Sequence, residues 1–263
     1  MERIPAGLYT YFAVESLQPE IPRWTAYLSP TYWGVLFFLL STFPLLRIPE
    51  IALAQTASGF RQRCRQLIRP LGIPGFFPML LFGCWLQAAN GFTQSPQHQF
   101  QIYTLGLSMF VSLGRDGMTR VGQWALGTTT GRLIDRLGAR KVVAVSLLIV
   151  SAGSLCYGNA EPETWWWIYL AAAAWIFWIG VNIGISDTLL AVAPVEERTS
   201  CFALYFTAST LSLALTTLLG GYLLDLFRQA EFPYERCSFL AGWAMRVAAV
   251  PLFLWATWKI KSR

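Results

Sequence analysis

The sequence predicts an all-α polytopic membrane protein with about seven transmembrane helices. Hydrophobic residues make up 55% of the 263-residue chain and charged residues only 13%, whereas an average soluble domain has about 25% charged residues. Several apolar stretches approach the roughly 20 residues that a helical span needs. Because these stretches are continuous and do not alternate with polar residues, they favour helices over a β-barrel.

Seven stretches reach or approach the length of a spanning helix. The first is interrupted by Pro44, which cannot donate a helical hydrogen bond, and the third is long enough to tilt or to extend into the cytoplasm. Three consecutive tryptophans begin the fifth, and Trp255 and Trp258 end the seventh, as is typical of interfacial anchors. The predicted spans are residues 31–48, 73–93, 101–130, 142–158, 165–193, 201–227 and 239–258.

Lysine and arginine predict the orientation of these spans. Thirteen of the twenty basic residues fall on one side of the arrangement, four fall on the other, and three lie inside spans. Basic residues concentrate on the cytoplasmic side of a membrane protein. We therefore expect a multi-pass protein of the plasma or inner membrane, with the C-terminus and linker 50–69 cytoplasmic and with residues 1–30 and loop 94–101 external.

The most specific pattern in the chain is the short basic loop at residues 131–141, Gly-Arg-Leu-Ile-Asp-Arg-Leu-Gly-Ala-Arg-Lys. Gly131 would let a neighbouring helix approach closely, and Gly138 suits the left-handed turn that ends a helix. Asp135 could accept hydrogen bonds from a facing helix N-terminus. The basic residues of the loop, which would hold it on the cytoplasmic side, are Arg132, Arg136, Arg140 and Lys141.

This pattern, Gly-x-x-x-Asp-Arg-x-Gly-x-Arg-Lys, resembles the signature loop of the major facilitator superfamily of secondary transporters. That loop joins the second and third helices of each six-helix half and forms part of the inner gate. The resemblance implies a six-helix half at residues 73–263. Residues 1–72 would then hold an external segment, the last helix of a missing first half, and a basic cytoplasmic linker. The alternative is a generic positive-inside loop that happens to carry two glycines and an aspartate.

Polar residues inside the third predicted span are the main candidates for a transport site. A charge at the bilayer centre costs about 2.5–3.5 kcal/mol on insertion scales, so each one needs a reason. In the resembled fold this helix borders the central cavity, which implies contact with substrate or a coupling ion. Alternatively, Asp116 and Arg120, four residues apart on one helix face, form an internal pair that only fixes packing. The candidates are Arg115, Asp116, Arg120, Gln123 and, in the fifth span, Asn182.

Two further ionisable residues lie in later spans. Asp187 could pair with Arg132 or Arg136 of the basic loop and hold an inner gate closed, or it could point into interfacial water. Arg246, in the last span, has no partner that the sequence identifies.

Patterns typical of enzymes and metal sites do not stand out. The five cysteines lack metal-ligand spacing, and the single histidine lies in a predicted loop, so we expect no catalytic residues, metal or cofactor. The net charge of +6 reflects the sidedness of the loops and does not indicate nucleic-acid binding.

The sequence therefore predicts a half-size or truncated permease that moves an unidentified small solute by alternating access. Besides membrane lipids, its expected partner is a second copy of itself or a separate N-terminal half. The alternative is a non-transporting scaffold or assembly subunit of a larger membrane complex.

Overall fold

The computed structural model describes residues 68–107, 109–228 and 233–258, together with four helical residues at 35–36 and 39–40. Apart from those four helical residues, the predicted first span lies outside the described residues, as does nearly all of the predicted linker. The chain divides into two compact units, residues 1–59 with 108–113 and residues 60–107 with 114–263. The helices below belong to the second unit, apart from the first residues of α2.

The described part of the chain is all helical, which confirms the predicted fold class. A 3-10 turn at Arg69–Gly72 precedes the first long helix, and a second one at Val195–Glu197 precedes α6. The α-helices are α1 (Phe76–Gln99), α2 (Met109–Leu137), α3 (Ala139–Gly158), α4 (Trp167–Ile176), α5 (Trp178–Val192), α6 (Arg198–Arg228) and α7 (Tyr234–Ala256).

Four helical segments among the described residues are long and apolar enough to cross a membrane by length and composition. Two of them are α3 and α7, one is α6 with its preceding turn, and one is the stretch Trp167–Val192, which combines α4 and α5. The remaining long helices, α1 and α2, carry more polar residues. The predicted span 165–193 is therefore one bent helix, divided at Phe177.

The predicted loop 94–101 is wrong, because α1 continues to Gln99 and then forms a π-helical turn at Phe100–Thr104. From the sequence, the helix is predicted to end at residue 93, where the apolar residues end. Instead the helix runs past them, and even Pro96 lies inside it. A proline inside a helix removes one backbone donor, and its ring crowds the carbonyl four residues earlier. The buried residues Thr93, Pro96 and Phe100 nevertheless keep this end packed.

The basic loop is shorter than its sequence suggests. Helix α2 extends to Leu137, beyond the predicted end at residue 130, so Gly131 and Asp135 lie within its last turns. Gly138 alone separates α2 from α3, with φ +84°. Its N–H donates to the carbonyl of Ile134 at 2.8 Å. A side chain would be strained at this positive φ, so the turn requires glycine. Its ψ of 144° lies outside the left-handed helical region that the sequence analysis expected.

Glycines set the close helix contacts. A Cβ on Gly220 of α6 would lie 2.5 Å from the carbonyl oxygen of Phe92 in α1, and one on Gly91 would overlap the backbone of α6. A Cβ on Gly180 or Gly184 would overlap side chains of α3. Small residues four positions apart permit this close approach of α5 to α3.

Two clusters of buried side chains hold the helices together. One joins α1, α3, α5, α6 and α7 and includes the ring pair Phe82–Phe253, with centroids 4.9 Å apart. The other surrounds Tyr157 of α3, which stacks on Trp175 at 5.5 Å and contacts Phe239. The outward faces remain apolar, as Leu218 at 72% exposure shows, which is the pattern expected of lipid-facing helices.

Candidate transport site

A polar cleft of about 180 Å³ lies between α1, α5 and α6. Gln87 of α1 and Asn182 of α5 are its two amide side chains. Tyr205 of α6 enters beside Gly83, where a Cβ would lie 2.5 Å from the tyrosine ring. No charged side chain lines the cleft among the described residues. Because unpaired charges are costly to desolvate and neutral polar groups less so, this lining suits a small uncharged polar solute, or one end of it.

The two serine hydroxyl groups of the cleft are already committed as donors. Ser186 Oγ donates to the Asn182 carbonyl at 3.0 Å, and Ser209 Oγ donates to the Phe206 carbonyl at 3.3 Å. The Asn182 side-chain amide has no hydrogen bond within the described part of the chain. Asn182, predicted from the sequence, is thus available to a ligand, whereas Gln87 was missed.

A second polar group is centred on Arg115 of α2, which is only 4% exposed. Its Nη1 donates to the Tyr157 hydroxyl of α3, which also accepts from Gln101 Nε2 at 2.8 Å. The guanidinium lies 5.7 Å from the centroid of the Trp175 ring, within the range of a cation–π contact. Arg115 is therefore held by α3 and α4 at one end of α2.

Asp116 pairs with its neighbour Arg115 and not with Arg120. The Asp116 Oδ1 atom accepts from Arg115 Nε at 3.0 Å and from Nη2 at 2.5 Å. Arg120 is exposed, and its nearest polar contact is Gln123 Oε1 at 3.4 Å, while Gln123 Nε2 donates to the Trp175 carbonyl at 3.1 Å. The internal Asp116–Arg120 pair, considered as an alternative above, is wrong for the described structure. The role of these residues in binding stays a prediction.

The acidic residues expected at the inner gate have no ion-pair partner among the described residues. Asp135 is exposed on the last turns of α2 and accepts no hydrogen bond from a described helix N-terminus, and Asp187 is exposed on α5. Of the two alternatives for Asp187, the pairs with Arg132 or Arg136 do not form among the described residues, and the side chain is exposed. A Cβ on Gly131 would meet no atom within 4 Å, so the close helix approach expected there is also absent from this part of the chain.

Arg140 is the residue that ties the basic loop to the bundle. Its Nη2 atom donates to the Leu254 carbonyl at 3.4 Å, and the guanidinium lies 5.2 Å from the Trp258 ring centroid. A cation at a helix C-terminus is favoured by the helix dipole, and the ring adds a cation–π contact. Lys141, the next residue, is exposed. The loop is thereby fixed to the end of α7.

Arg246 of α7 is buried among neutral partners. Its Nε donates to Asn90 Oδ1 at 3.0 Å, its Nη2 to Thr93 Oγ1 at 2.7 Å, and its Nη1 to Ser154 Oγ. It forms no ion pair with any described residue. These partners lie on α1 and α3. Nothing in the sequence pairs them with Arg246, which is why the cluster was missed.

Comparison with known families finds one match. The family model described as Major Facilitator Superfamily matches residues 117–262, more than half of the chain. The match begins within α2, contains the Gly138 turn and covers all of α3 to α7. No curated protein matches the chain.

Proposed function

The chain belongs to the Major Facilitator Superfamily, and we propose that it is one half of a permease that moves a small solute by alternating access. The family consists of multi-pass secondary transporters and not of enzymes. Transporters of this kind place the substrate near the bilayer midplane between two halves that rock against each other. A second six-helix half is therefore needed to complete such a transporter.

The exposed charges of α2 carry this proposal. Helix α2 is about 43 Å long at 1.5 Å per residue, and Asp116 and Arg120 lie about 10 and 16 Å from its first residue. We propose that a hydrocarbon layer of about 30 Å centred on the helix encloses both residues. Yet the Asp116 side chain is 55% exposed. Because lipid does not solvate charges, this face must border water or another protein half.

The exposed length of α6 supports the same conclusion. Only 11% of its most apolar window is buried inside the described structure, against 50% for α3. Helices α2 and α6 thus leave exposed faces within the described structure. The face of α2 mixes charged residues with apolar ones such as Val121 and Trp124, and the face of α6 is apolar. A second half that covers both would bury the apolar face and enclose the charged one in a cavity.

For orientation we propose that the Gly138 turn and the C-terminus are cytoplasmic, in the plasma or inner membrane. Arg132, Arg136 and Lys141 are exposed around that turn, as the positive-inside rule favours. Labelling of single cysteines placed at Arg136 and at residue 263, before and after permeabilisation of cells, tests this. Labelling of either site from outside intact cells contradicts the orientation.

The transport experiment uses the full chain, purified and reconstituted into liposomes. Solutes that raise its thermal stability are first found among small uncharged polar compounds and are then radiolabelled for uptake. We expect Asn182→Val to abolish uptake of such a solute. The matched control is Asn159→Val, which alters an exposed asparagine at the end of α3, outside the cleft. Equal uptake by Asn182→Val and the unaltered protein would contradict the proposed site.

Native mass spectrometry of the same preparation counts the chains in the transporting particle. Two chains with uptake support a homodimer, and uptake that requires an added partner supports a separate half. The exposed apolar face of α6 also suits the alternative, a scaffold within a larger membrane complex. Stable co-purification with that complex, together with no uptake of any stabilising solute, would favour the scaffold over transport.

A further inference from the structure

The buried Arg246 determines which way the Asn90 amide points. A guanidinium has only donors, so the atom of Asn90 that faces Arg246 Nε at 3.0 Å must be the carboxamide oxygen. Ser154 and Thr93 accept from the two other guanidinium nitrogens, so acceptors on two neighbouring helices, α1 and α3, hold the guanidinium in place. Asn90 therefore turns its Nδ2 group away from Arg246.

The Asn90 Nδ2 group in turn orients Gln87, one helical turn earlier on α1. Asn90 Nδ2 donates to Gln87 Oε1 at 3.3 Å. With its oxygen engaged there, Gln87 directs its Nε2 group the other way, and Gln87 is part of the cleft lining. That nitrogen has no hydrogen bond within the described part of the chain. A path of two hydrogen bonds thus connects a buried cation to a free donor in the cleft.

We propose that Arg246 is a positioning residue that makes Gln87 a hydrogen-bond donor in the cleft, and that the solute presents an uncharged acceptor oxygen to α1. A carbonyl, ether or hydroxyl oxygen meets this requirement. Because no charged side chain lines the cleft among the described residues, an ionised group on the solute would lack a counter-charge there. The substrate class rests on the proposed function, whereas the orientation of Gln87 does not.

Asn90→Asp should reverse the orientation of the Gln87 side-chain amide with little change in the shape of residue 90. Both carboxylate oxygens are acceptors, so one still binds Arg246 and the other faces Gln87. Gln87 must then turn its Nε2 group towards the carboxylate and its oxygen towards the cleft. Thr93→Val is the matched control. It removes another α1 side chain that binds Arg246, but it leaves the hydrogen bonds from Arg246 to Asn90 and from Asn90 to Gln87 in place.

Exchange of the Gln87 amide protons with water measures the orientation directly, with water as the probe. The full chain is labelled with ¹⁵N-glutamine and studied by NMR in lipid nanodiscs, and the Gln87 signals are identified by their loss in Gln87→Glu. We expect fast exchange in the unaltered protein and in Thr93→Val. In Asn90→Asp exchange should slow about tenfold or more, since a hydrogen bond to a charged group is worth about 1.5–3 kcal/mol.

Slow exchange in the unaltered protein, or equal rates in it and in Asn90→Asp, would overturn the inference. Exchange in the unaltered protein is measured without any variant, so the inference can still be tested if Asn90→Asp fails to fold. The uptake experiment on Asn182→Val tests the proposed function and does not depend on Gln87. It therefore distinguishes a failure of the proposed function from a failure of the inferred Gln87 orientation. Where a transported solute is found, Asn90→Asp should weaken its binding about tenfold, and undiminished binding would overturn the assigned substrate class.

Discussion

The contact between α1 and α6 should be the most sensitive point of the bundle to a single added methyl group. In Gly220→Ala the new Cβ would lie 2.5 Å from the Phe92 carbonyl oxygen and 3.2 Å from its carbon. Both are backbone atoms, so relief requires the helices to separate. In Gly221→Ala, the next residue, the nearest atom is Ser95 Oγ at 3.4 Å, an ordinary contact. The two positions therefore form a matched pair.

The expected magnitude follows from two opposing effects. Alanine is favoured over glycine inside a helix by about 1 kcal/mol, and this gain applies to both variants. Overpacking of a close contact costs about 1–3 kcal/mol and applies only to Gly220→Ala. The free energy of unfolding should therefore be about 1–3 kcal/mol lower for Gly220→Ala than for Gly221→Ala.

Thermal unfolding of both variants in the same detergent, followed by tryptophan fluorescence, provides the comparison. We expect a clearly lower midpoint for Gly220→Ala. Uptake should fall as well, since separation of α1 from α6 opens the cleft between them. Equal midpoints, or a higher one for Gly220→Ala, would refute the close approach of these helices and with it the geometry of the cleft.

Three further predictions concern α2 and the turn after it. Gly138→Ala should destabilise the protein by about 1–2 kcal/mol because of its positive φ, while Gly131→Ala, in open space, should not; thermal unfolding compares the two. Arg140→Ala should lose about 0.5–1 kcal/mol of cation–π stabilisation and speed hydrogen exchange at the end of α7, whereas Lys141→Ala should leave that exchange unchanged. Arg120→Gln should change the free energy of unfolding by no more than about 0.5 kcal/mol, as for other exposed sites. It should reduce uptake if the side chain borders the cavity. A large loss of stability would contradict the exposure of Arg120.

The helices were more predictable than their ends. Apolar stretches located each of the described helices, because the cost of burying an unpaired backbone group in lipid leaves helices as the favoured solution. Their ends depended on contacts that composition does not encode. Packing of Thr93 and Pro96 carries α1 past the apolar residues, and α2 continues until the positive φ of Gly138 stops it.

The site was predictable only in part, for a related reason. The sequence predicted Asn182 and the charged residues of α2 as candidates, because polar groups inside a membrane span are conspicuous. Their role in binding stays a prediction. It did not identify Gln87, whose role comes from Asn90 and Arg246 on two different helices. It also paired Asp116 with Arg120 by helical spacing, whereas the long Arg115 side chain reaches Asp116 first.

By itself, the sequence determined the membrane environment, the helical class and the family. These follow from the number and length of apolar stretches and from a local pattern at residues 131–141, neither of which requires knowledge of distant contacts. The tertiary structure alone decided which polar side chains meet. That depends on the rotation of each helix about its axis and on how closely two helices approach, as Gly220 permits at Phe92. Both properties come from packing across the whole bundle, so the partners of Arg246, and through them the donor in the cleft, became visible only in the folded protein.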